Sequence, residues 1–300
     1  MARLPFVDTH VHFHDMTHPR LRYDWIAPDA PIDPVVGPDG AMRAQRYWAD
    51  DFVAETRFQN VAKVVHVQAA IGSPDPVEET RWLQAFADRL GLPQGIVAYV
   101  DLAQPDAAEQ LARHRAFPNF RGVRDLRDDD YLSSDAWRRG YALLDGLVCC
   151  DDPFVEQMPD ARRLAEEFPG VTLCIDHAAY PGFGGNPRDP ALADFDAWSA
   201  GMRELAKAPN VVVKISGLGM SDHSWTVESI RPWVSECIDA FGTERSFFGT
   251  NWSLDRIYSS YGDVLDAYAE LVSDFTEAEQ VAMFSGNAER IFRLGDPAAA

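Results

Sequence analysis

The sequence has no long apolar run and little positive charge, and each absence excludes a class of protein. No segment approaches the roughly 18 consecutive apolar residues that a membrane-spanning helix needs. Lysine and arginine together number 27 against 47 aspartates and glutamates, so the formal net charge is −20. Nucleic acids and anionic membrane surfaces repel such a protein. We therefore expect neither as a partner and expect a small-molecule substrate.

Cysteine is also scarce. The four cysteines are Cys149, Cys150, Cys174 and Cys237, and none of them stands in a Cys-x-x-Cys pair or another metal-binding spacing. Cys149 and Cys150 are adjacent within an apolar run, which indicates buried free thiols in a reducing compartment. The first residues pass directly into a strand-like segment and leave no room for a signal peptide. These patterns predict a cytoplasmic protein and leave homo-oligomer formation open.

The chain also lacks internal repeats and low-complexity linkers. What recurs is a short apolar, β-branched run followed by a segment with helical periodicity. The predicted strands are Phe6–His12, Ala62–Ala69, Gly95–Val100, Phe120–Arg124, Leu147–Cys150, Val171–His177, Val211–Ser216 and Ser246–Asn251. The predicted helices include Pro76–Leu90, Asp106–Arg115, Asp160–Phe168, Asp194–Ala206, Val227–Phe241 and a last helix within Ser285–Leu294.

Eight strands alternating with helices predict an α/β fold, a single (β/α)8 TIM barrel over residues 1–300, because such a barrel needs about 250 residues. A doubly wound open sheet is the alternative, but no Gly-x-Gly-x-x-Gly motif follows the first strand. The connections after strands one and six are long, at residues 13–50 and 178–193. Both would lie at the C-terminal face of the barrel, where active sites are built, and we expect them to be lids rather than decorated surface loops.

Three histidines stand at the ends of predicted strands. His10 and His12 close strand one, and because strand side chains alternate, they point to the same side about 7 Å apart along the strand. His177 ends strand six. Neutral imidazoles suit Zn²⁺ and similar ions. We predict that His10, His12 and His177 hold a divalent metal such as zinc or manganese, with metal-free operation or a purely structural histidine cluster as alternatives.

Polar residues also stand at the ends of other predicted strands, where packing of an apolar strand does not require them. We expect a pocket lined by Arg124, Lys214, Asn251, His66, Gln68, Ser216 and Asp151. Arg124 offers a planar fork for a carboxylate or a polarised carbonyl, and Lys214 offers a point charge. For both cations the alternative is an ion pair with Asp151 or Asp152. Four histidines follow no such pattern, and we expect them at the surface. They are His14, His18, His114 and His223.

These residues do not decide the chemical nature of the ligand. Arg124, Arg127 and Lys214 favour an anionic or hydroxyl-rich molecule. The long loops instead carry aromatic side chains that favour an apolar or ring-shaped one, namely Trp25, Trp48, Tyr180 and Phe183.

One ordered set of motifs resembles a known family. The set comprises His10-Val-His12, Arg124, Ile175-Asp-His177, Lys214-Ile-Ser-Gly217 and Phe248-Gly-Thr-Asn-Trp252. With these motifs the chain resembles the amidohydrolase-2 family from Phe6 to about Leu294, and it is most similar to the branch of sugar lactonases and 2-pyrone-4,6-dicarboxylate lactonase.

The resemblance implies hydrolysis of a cyclic ester. It implies that His10, His12 and His177 bind a divalent metal or hold the substrate directly, and that Arg124 and Lys214 contact the lactone carbonyl or a carboxylate. The family's decarboxylases carry a further histidine at a position that falls near Lys214-Ile-Ser216, which argues against decarboxylation.

The chain departs from the family at Asn251, where an aspartate usually deprotonates the attacking water. An amide cannot take up a proton near neutral pH, so the base must be another group: His177, His12, or one of Asp151 and Asp152. Asp255 is expected beyond the strand end and unable to substitute. We assign catalytic roles to His177, Asn251 and Arg124. A lactone isomerase, another non-hydrolytic lyase or decarboxylase, and a non-catalytic binding barrel are the alternatives.

Overall fold

The chain folds into an eight-stranded parallel sheet in which every strand pairs with the next in sequence. The computed structural model describes residues 4–32, 35–37, 45–127, 129–181 and 194–295. The strands are β1 Phe6–Val11, β2 Val61–Val67, β3 Gly95–Ala98, β4 Phe120–Arg124, β5 Val148–Asp151, β6 Thr172–Ile175, β7 Val211–Ile215 and β8 Ser246–Phe248. All eight predicted strands and the barrel are confirmed.

Alternation along the strands separates two cores. Residues such as Val65, Val97 and Val212 point into the barrel and form an inner cluster with Phe292 of the last helical segment. Their sequence neighbours, such as Val64 and Ile96, pack outward against the helices. Strands buried on both faces explain why the runs are apolar throughout rather than alternately polar.

Asp8 helps to close the barrel between β8 and β1. Its carboxylate accepts hydrogen bonds from the Thr250 backbone N–H at 2.9 Å, the Thr250 hydroxyl at 2.6 Å and the Tyr261 hydroxyl at 2.9 Å. The backbone N–H of His12 donates to the Trp252 carbonyl at 2.5 Å. Burial raises the pKa of Asp8 to about 6. One acidic side chain thus ties the two ends of the sheet together, directly below the predicted histidine pair.

The helices surround the sheet. They are α1 Ala49–Thr56, α2 Val77–Leu90, α3 Ala107–His114, α4 Asp135–Tyr141, α5 Met158–Glu167, α6 Phe195–Leu205, α7 Leu218–Ser221, α8 Val227–Phe241, α9 Tyr261–Leu271, α10 Glu277–Val281 and α11 Asn287–Ile291. The helix α8 has the predicted bounds, whereas α1, α4, α7, α9 and α10 were not predicted. No helix in the described ranges has the length and apolar character to cross a membrane.

The connection after β1 folds over the C-terminal face. It contains a short antiparallel pairing of His14–Asp15 with Arg46–Tyr47 and a 3-10 turn over Asp24–Ile26. Leu21 and Ile26 of this connection pack against Met220 and Leu254, which follow β7 and β8. Residues 33–34, 38–44 and 182–193 of the two long connections lie outside the described residues. The predicted loop aromatic Phe183 is among them.

Candidate active site

The predicted histidines meet at the C-terminal end of the barrel. The Nε2 atoms of His10 and His12 are 3.1 Å apart, and the ring centroids of His10 and His177 are 4.4 Å apart. Nδ1 of His12 contacts the Val67 carbonyl at 2.9 Å, so this nitrogen carries the proton and Nε2 presents its lone pair. The two strand-one histidines therefore converge on a single point, as their spacing predicts.

All three imidazoles are neutral at physiological pH. Burial lowers the pKa of His10 and of His12 well below the usual value, and other nearby cationic or imidazole groups lower each further. Burial, followed by the charge of Arg124, lowers the pKa of His177 to about 3. Neutral imidazoles can act as metal ligands or as hydrogen-bond acceptors toward a substrate.

The donor set fits a divalent metal. Two nitrogens bound about 2.05 Å from a tetrahedral zinc ion lie about 3.3 Å apart, close to the observed His10–His12 separation. One ligand atom from each of His10, Asp176 and His177 also lies within 4.8 Å of the others, and this group does not include His12. The ammonium group of Lys214 is paired with Asp176, and its positive charge weakens the attraction of these ligands for a cation. All the imidazoles nevertheless stay available as ligands.

A left-handed turn positions His177. Residues 177–180 all have positive φ, between 49° and 55° for His177, Ala178, Ala179 and Tyr180. Side chains rarely adopt this conformation, and such strain collects where surrounding structure imposes it, often at functional sites. Here the Ser216 hydroxyl lies 3.0 Å from Nδ1 of His177 and orients the ring.

Asp176 organises the charges beneath the histidines. Its Oδ1 lies 2.7 Å from the Lys214 ammonium group, and its Oδ2 lies 3.5 Å from Nδ1 of His10 and 3.7 Å from Nε of Arg124. Both Asp176 and Lys214 are fully buried. Burial alone would lower the pKa of Lys214, but Asp176 raises it above the usual range, so the pair is ionic.

A second ion pair joins Arg124 and Asp152. Nη2 of Arg124 donates to Oδ2 of Asp152 at 2.9 Å, and the Tyr180 hydroxyl donates to the same oxygen at 2.6 Å. Burial alone would lower the pKa of Arg124, but Asp152 and Asp176 raise it well above the usual range. The guanidinium is therefore charged, and the ion pair considered from the sequence is present with Asp152.

Asn251 and Asp255 form a pair. Asp255 lies beyond the strand end, as expected from the sequence, but it contacts Asn251 from behind the cavity lining, which the sequence did not predict. Nδ2 of Asn251 donates to Oδ1 of Asp255 at 2.9 Å, and Oδ2 of Asp255 accepts from the Gly219 backbone N–H at 3.0 Å. Oδ1 of Asn251 is buried and has no hydrogen-bond partner among the described residues. A turn at Ser253–Leu254 folds the chain back, with the Leu254 and Asp255 backbone N–H groups donating to the Asn251 carbonyl at 2.8 and 3.1 Å. Sequence spacing alone does not show this turn.

These groups surround one cavity of about 180 Å³. Its polar lining includes His12, Gln68, Arg124, His177, Tyr180 and Asn251, so all three predicted catalytic residues reach it. Its apolar lining consists of Trp25, Val35, Val36, Ile71, Leu126, Met220 and Leu254. Among the lining residues that were not predicted, Trp25 and Tyr180 can be recognised in the sequence as loop aromatics. The others give no signal, because the sequence does not distinguish an apolar loop residue from an apolar core residue.

The other predicted contacts are placed differently. Lys214 and Ser216 lie behind the cavity lining, on Asp176 and His177 respectively, and His66 is buried with Nε2 facing the Phe13 carbonyl at 3.4 Å. Asp151 points away from the cavity, where its carboxylate accepts a hydrogen bond from the Tyr131 hydroxyl at 2.7 Å. Burial raises the pKa of Asp151 to about 7. The structure therefore does not bring Asp151 into the site, and its neighbour Asp152 lies there instead.

Two histidines expected at the surface are buried. His114 is fully buried, with Nδ1 2.8 Å from the Thr80 hydroxyl and its ring stacked on Phe120. His14 is 2% exposed in the short strand pair after β1. Both expectations were wrong, because the faces of the elements that carry them pack inward. His223 is exposed, as expected, and His18 is partly buried.

Comparison with known proteins agrees with the barrel fold. Residues 7–294 match a family model described as Amidohydrolase. An uncharacterized protein of Sinorhizobium fredii is 33% identical over 308 residues, covering 98% of this chain and 100% of that protein. An L-fucono-1,5-lactonase of Burkholderia multivorans is 29% identical over 316 residues, covering 97% of each chain. The crystal structure of an amidohydrolase from Burkholderia multivorans with bound zinc is 27% identical, with a TM-score of 0.79, and covers 97% of this chain and 100% of that one.

Proposed function

This chain belongs to the amidohydrolase family, and we propose that it opens a lactone or a similar cyclic ester by hydrolysis. The observation that carries the proposal is the convergence of a charged guanidinium, neutral imidazoles and an unpartnered amide oxygen on one cavity. A cyclic ester offers its carbonyl oxygen to the guanidinium, and the attacking water offers its protons to the imidazoles and the amide oxygen. The relatedness to lactonases supports the same reaction class.

Arg124 would bind the carbonyl oxygen of the lactone. Asp152 accepts from Nη2 and is itself held by the Tyr180 hydroxyl, while Nε faces Asp176 at 3.7 Å. The guanidinium is thereby fixed where Arg124 lines the cavity. Negative charge develops on the carbonyl oxygen when water adds to the carbonyl carbon. A preorganised cation beside that oxygen stabilises the transition state more than the ground state.

Asn251 would orient the water. Asn251 lines the cavity, and its Oδ1, which has no partner among the described residues, can accept one water hydrogen. The other water proton must go to a base, and we assign Nε2 of His177 when no ion occupies it. In this assignment Nδ1–H donates to the Ser216 hydroxyl, so Nε2 carries the lone pair. The water oxygen bonds to the carbonyl carbon, the ring C–O bond breaks, and the ring oxygen takes the proton. The product is a hydroxy acid.

The histidines would also hold a divalent ion, with zinc or manganese as the candidates. His10, His12 and His177 are the proposed ligands. When bound, such an ion would polarise the lactone carbonyl and lower the pKa of water at the site. Asp176 near Nδ1 of His10 and the Val67 carbonyl on Nδ1 of His12 would orient the rings as outer partners.

A lactone panel tests the proposal. The purified chain is assayed for acid release with added Zn²⁺, with added Mn²⁺ and without metal. Ring opening by the wild type, lost in Arg124→Met and His177→Ala but kept in the control Arg57→Met, whose side chain is exposed and outside the cavity lining, is the expected result. Proton NMR of the product separates hydrolysis from isomerisation, which forms no new carboxylate. Folded protein that opens no lactone under any of these conditions would contradict the proposal.

We also propose that residues 1–300 form one barrel domain that works in the cytoplasm. All four cysteines are buried and unbridged, which agrees with a reducing compartment.

A further inference from the structure

The walls of the cavity are apolar, in contrast to its floor. Ile71, Leu126, Met220 and Leu254 border it together with the ring of Trp25. Leu126 is 46% exposed at the rim, whereas Met220 and Leu254 are 5% and 4% exposed at depth. An apolar surface therefore runs from the opening of the cavity down to the polar floor.

The polar atoms of the aromatic side chains near this surface already form hydrogen bonds within the protein. The indole N–H of Trp25 donates to the Ala69 carbonyl at 2.8 Å, and the Tyr180 hydroxyl donates to Asp152. Each ring thus borders the cavity while its polar atom is used elsewhere. On the floor, Gln68, Asn251 and Arg124 can serve the lactone group and the water, and His12 and His177 can serve the water or an ion. Few other side-chain donors or acceptors of the described lining are then left for additional hydroxyl groups.

A polyhydroxylated ring would fit this cavity poorly. Each hydroxyl group that is moved from water into contact with an apolar wall without a hydrogen bond costs binding free energy. An alkyl or aryl group in the same place gains binding free energy in proportion to the area it removes from water. The described lining therefore discriminates by polarity at the part of the substrate that lies farthest from the reacting carbonyl.

We infer that the substrate is a lactone with an apolar alkyl or aryl substituent, not a sugar lactone. The inference rests on the proposed lactone hydrolysis for its choice of ring. The lactone group would lie on the floor among Arg124, His177 and Asn251, and the substituent would lie along Ile71, Met220 and Leu254.

Matched ligands test the inference by turnover and by binding. The substrates are a pentyl-substituted δ-lactone and a polyhydroxylated δ-lactone. The corresponding δ-lactams, which resist hydrolysis, are titrated by calorimetry. With about a threefold to fourfold gain per fully buried methylene, we expect the pentyl compounds to be favoured at least about 30-fold in kcat/KM and in Kd, with a negative heat-capacity change on binding.

Two substitutions locate the preference. Ile71→Asn places an amide in the wall and should reduce the preference for the pentyl compound at least about tenfold, and Ile71→Val should largely retain it. Ile32→Asn is the matched control, because Ile32 is 67% exposed and is not part of the cavity lining. Thermal unfolding of each variant confirms folding before the ligands are compared.

The outcomes separate the inference from the proposed function. Tighter binding and faster opening of the hydroxylated compounds would overturn the inference while leaving lactone hydrolysis intact. Preferential binding of the pentyl lactam without turnover of any lactone would overturn the proposed hydrolysis, and with it the lactone ring of the inference, while supporting the apolar substituent. Equal binding of both lactams, or binding of neither, would overturn the inference.

Discussion

The side-chain amide of Asn251 donates to the Asp255 carboxylate across 2.9 Å, and this bond decides which end of the amide is free. Since Nδ2 is engaged, the unpartnered atom is Oδ1, an acceptor. Burial raises the pKa of Asp255 to about 7, with the bonds from Asn251 and Gly219 opposing that rise. The pair therefore combines an orienting amide with a carboxyl group behind it.

Asn251→Asp is expected to lower activity at neutral pH, although it restores the residue that is usual in the family. Two carboxyl groups at hydrogen-bond distance cannot both ionise readily, so they would share a proton. The exchange variant Asn251→Asp/Asp255→Asn separates the groups again and should recover at least tenfold over Asn251→Asp. Both are measured as kcat/KM between pH 6 and 9. A large gain in Asn251→Asp alone would instead show that the native pair impairs hydrolysis.

Lys214→Met is expected to destabilise the fold by about 3–5 kcal/mol. The substitution removes the 2.7 Å partner of the buried Asp176 carboxylate and leaves it only the longer contact with Arg124 at 3.7 Å, and such a loss is far larger than the loss of a surface pair. Lys63→Met is the matched control, because Lys63 and Glu289 are partly exposed at 28% and 44% and their pair contributes about 0–1 kcal/mol. Denaturant unfolding measures both. Equal small losses would contradict an ionic Asp176–Lys214 pair.

Metal content should follow the histidine cluster. We expect the wild type purified with zinc to retain about one ion per chain, and His12→Ala to lose most of it, because Nε2 of His12 presents its lone pair toward His10. His223→Ala should retain the ion. Elemental analysis after dialysis measures the content independently of activity. Zinc-free wild type with undiminished lactone opening would show that the site works without a metal.

The buried His114 predicts an acid-dependent loss of stability. Burial lowers its pKa to about 4, against about 6.5 in the unfolded chain. The unfolded state therefore binds a proton first as pH falls, and the stability present above pH 6.5 declines between about pH 6.5 and 4. By linkage, the wild type should lose about 2–3 kcal/mol more than His114→Asn between pH 7.5 and 4.5. Asparagine keeps a polar atom near Thr80, so an equal loss in both proteins would contradict the prediction.

Much of the fold and part of the site follow from local patterns. The β-branched runs identify all eight strands, and the alternation of side chains brings His10 and His12 to one side. The helices α1, α4 and α9 escape prediction because their apolar stripes are short or are interrupted by polar and aromatic residues. The assignment of Asp151 fails on parity: Asp152 shares the inward face with Cys150, and Asp151 shares the outward face with Cys149.

The sequence by itself determined that polar groups gather where the strands end, because strand periodicity is local and a parallel barrel places all those ends on one face. Only the tertiary structure decided which polar groups pair. Asp176 with Lys214 and Arg124 with Asp152 join different strands, and Asn251 meets Asp255 because a turn reverses the chain between them. Each pairing depends on distances between segments far apart in sequence or on a turn without a strong motif. The same holds for the apolar walls, whose residues come from separate loops.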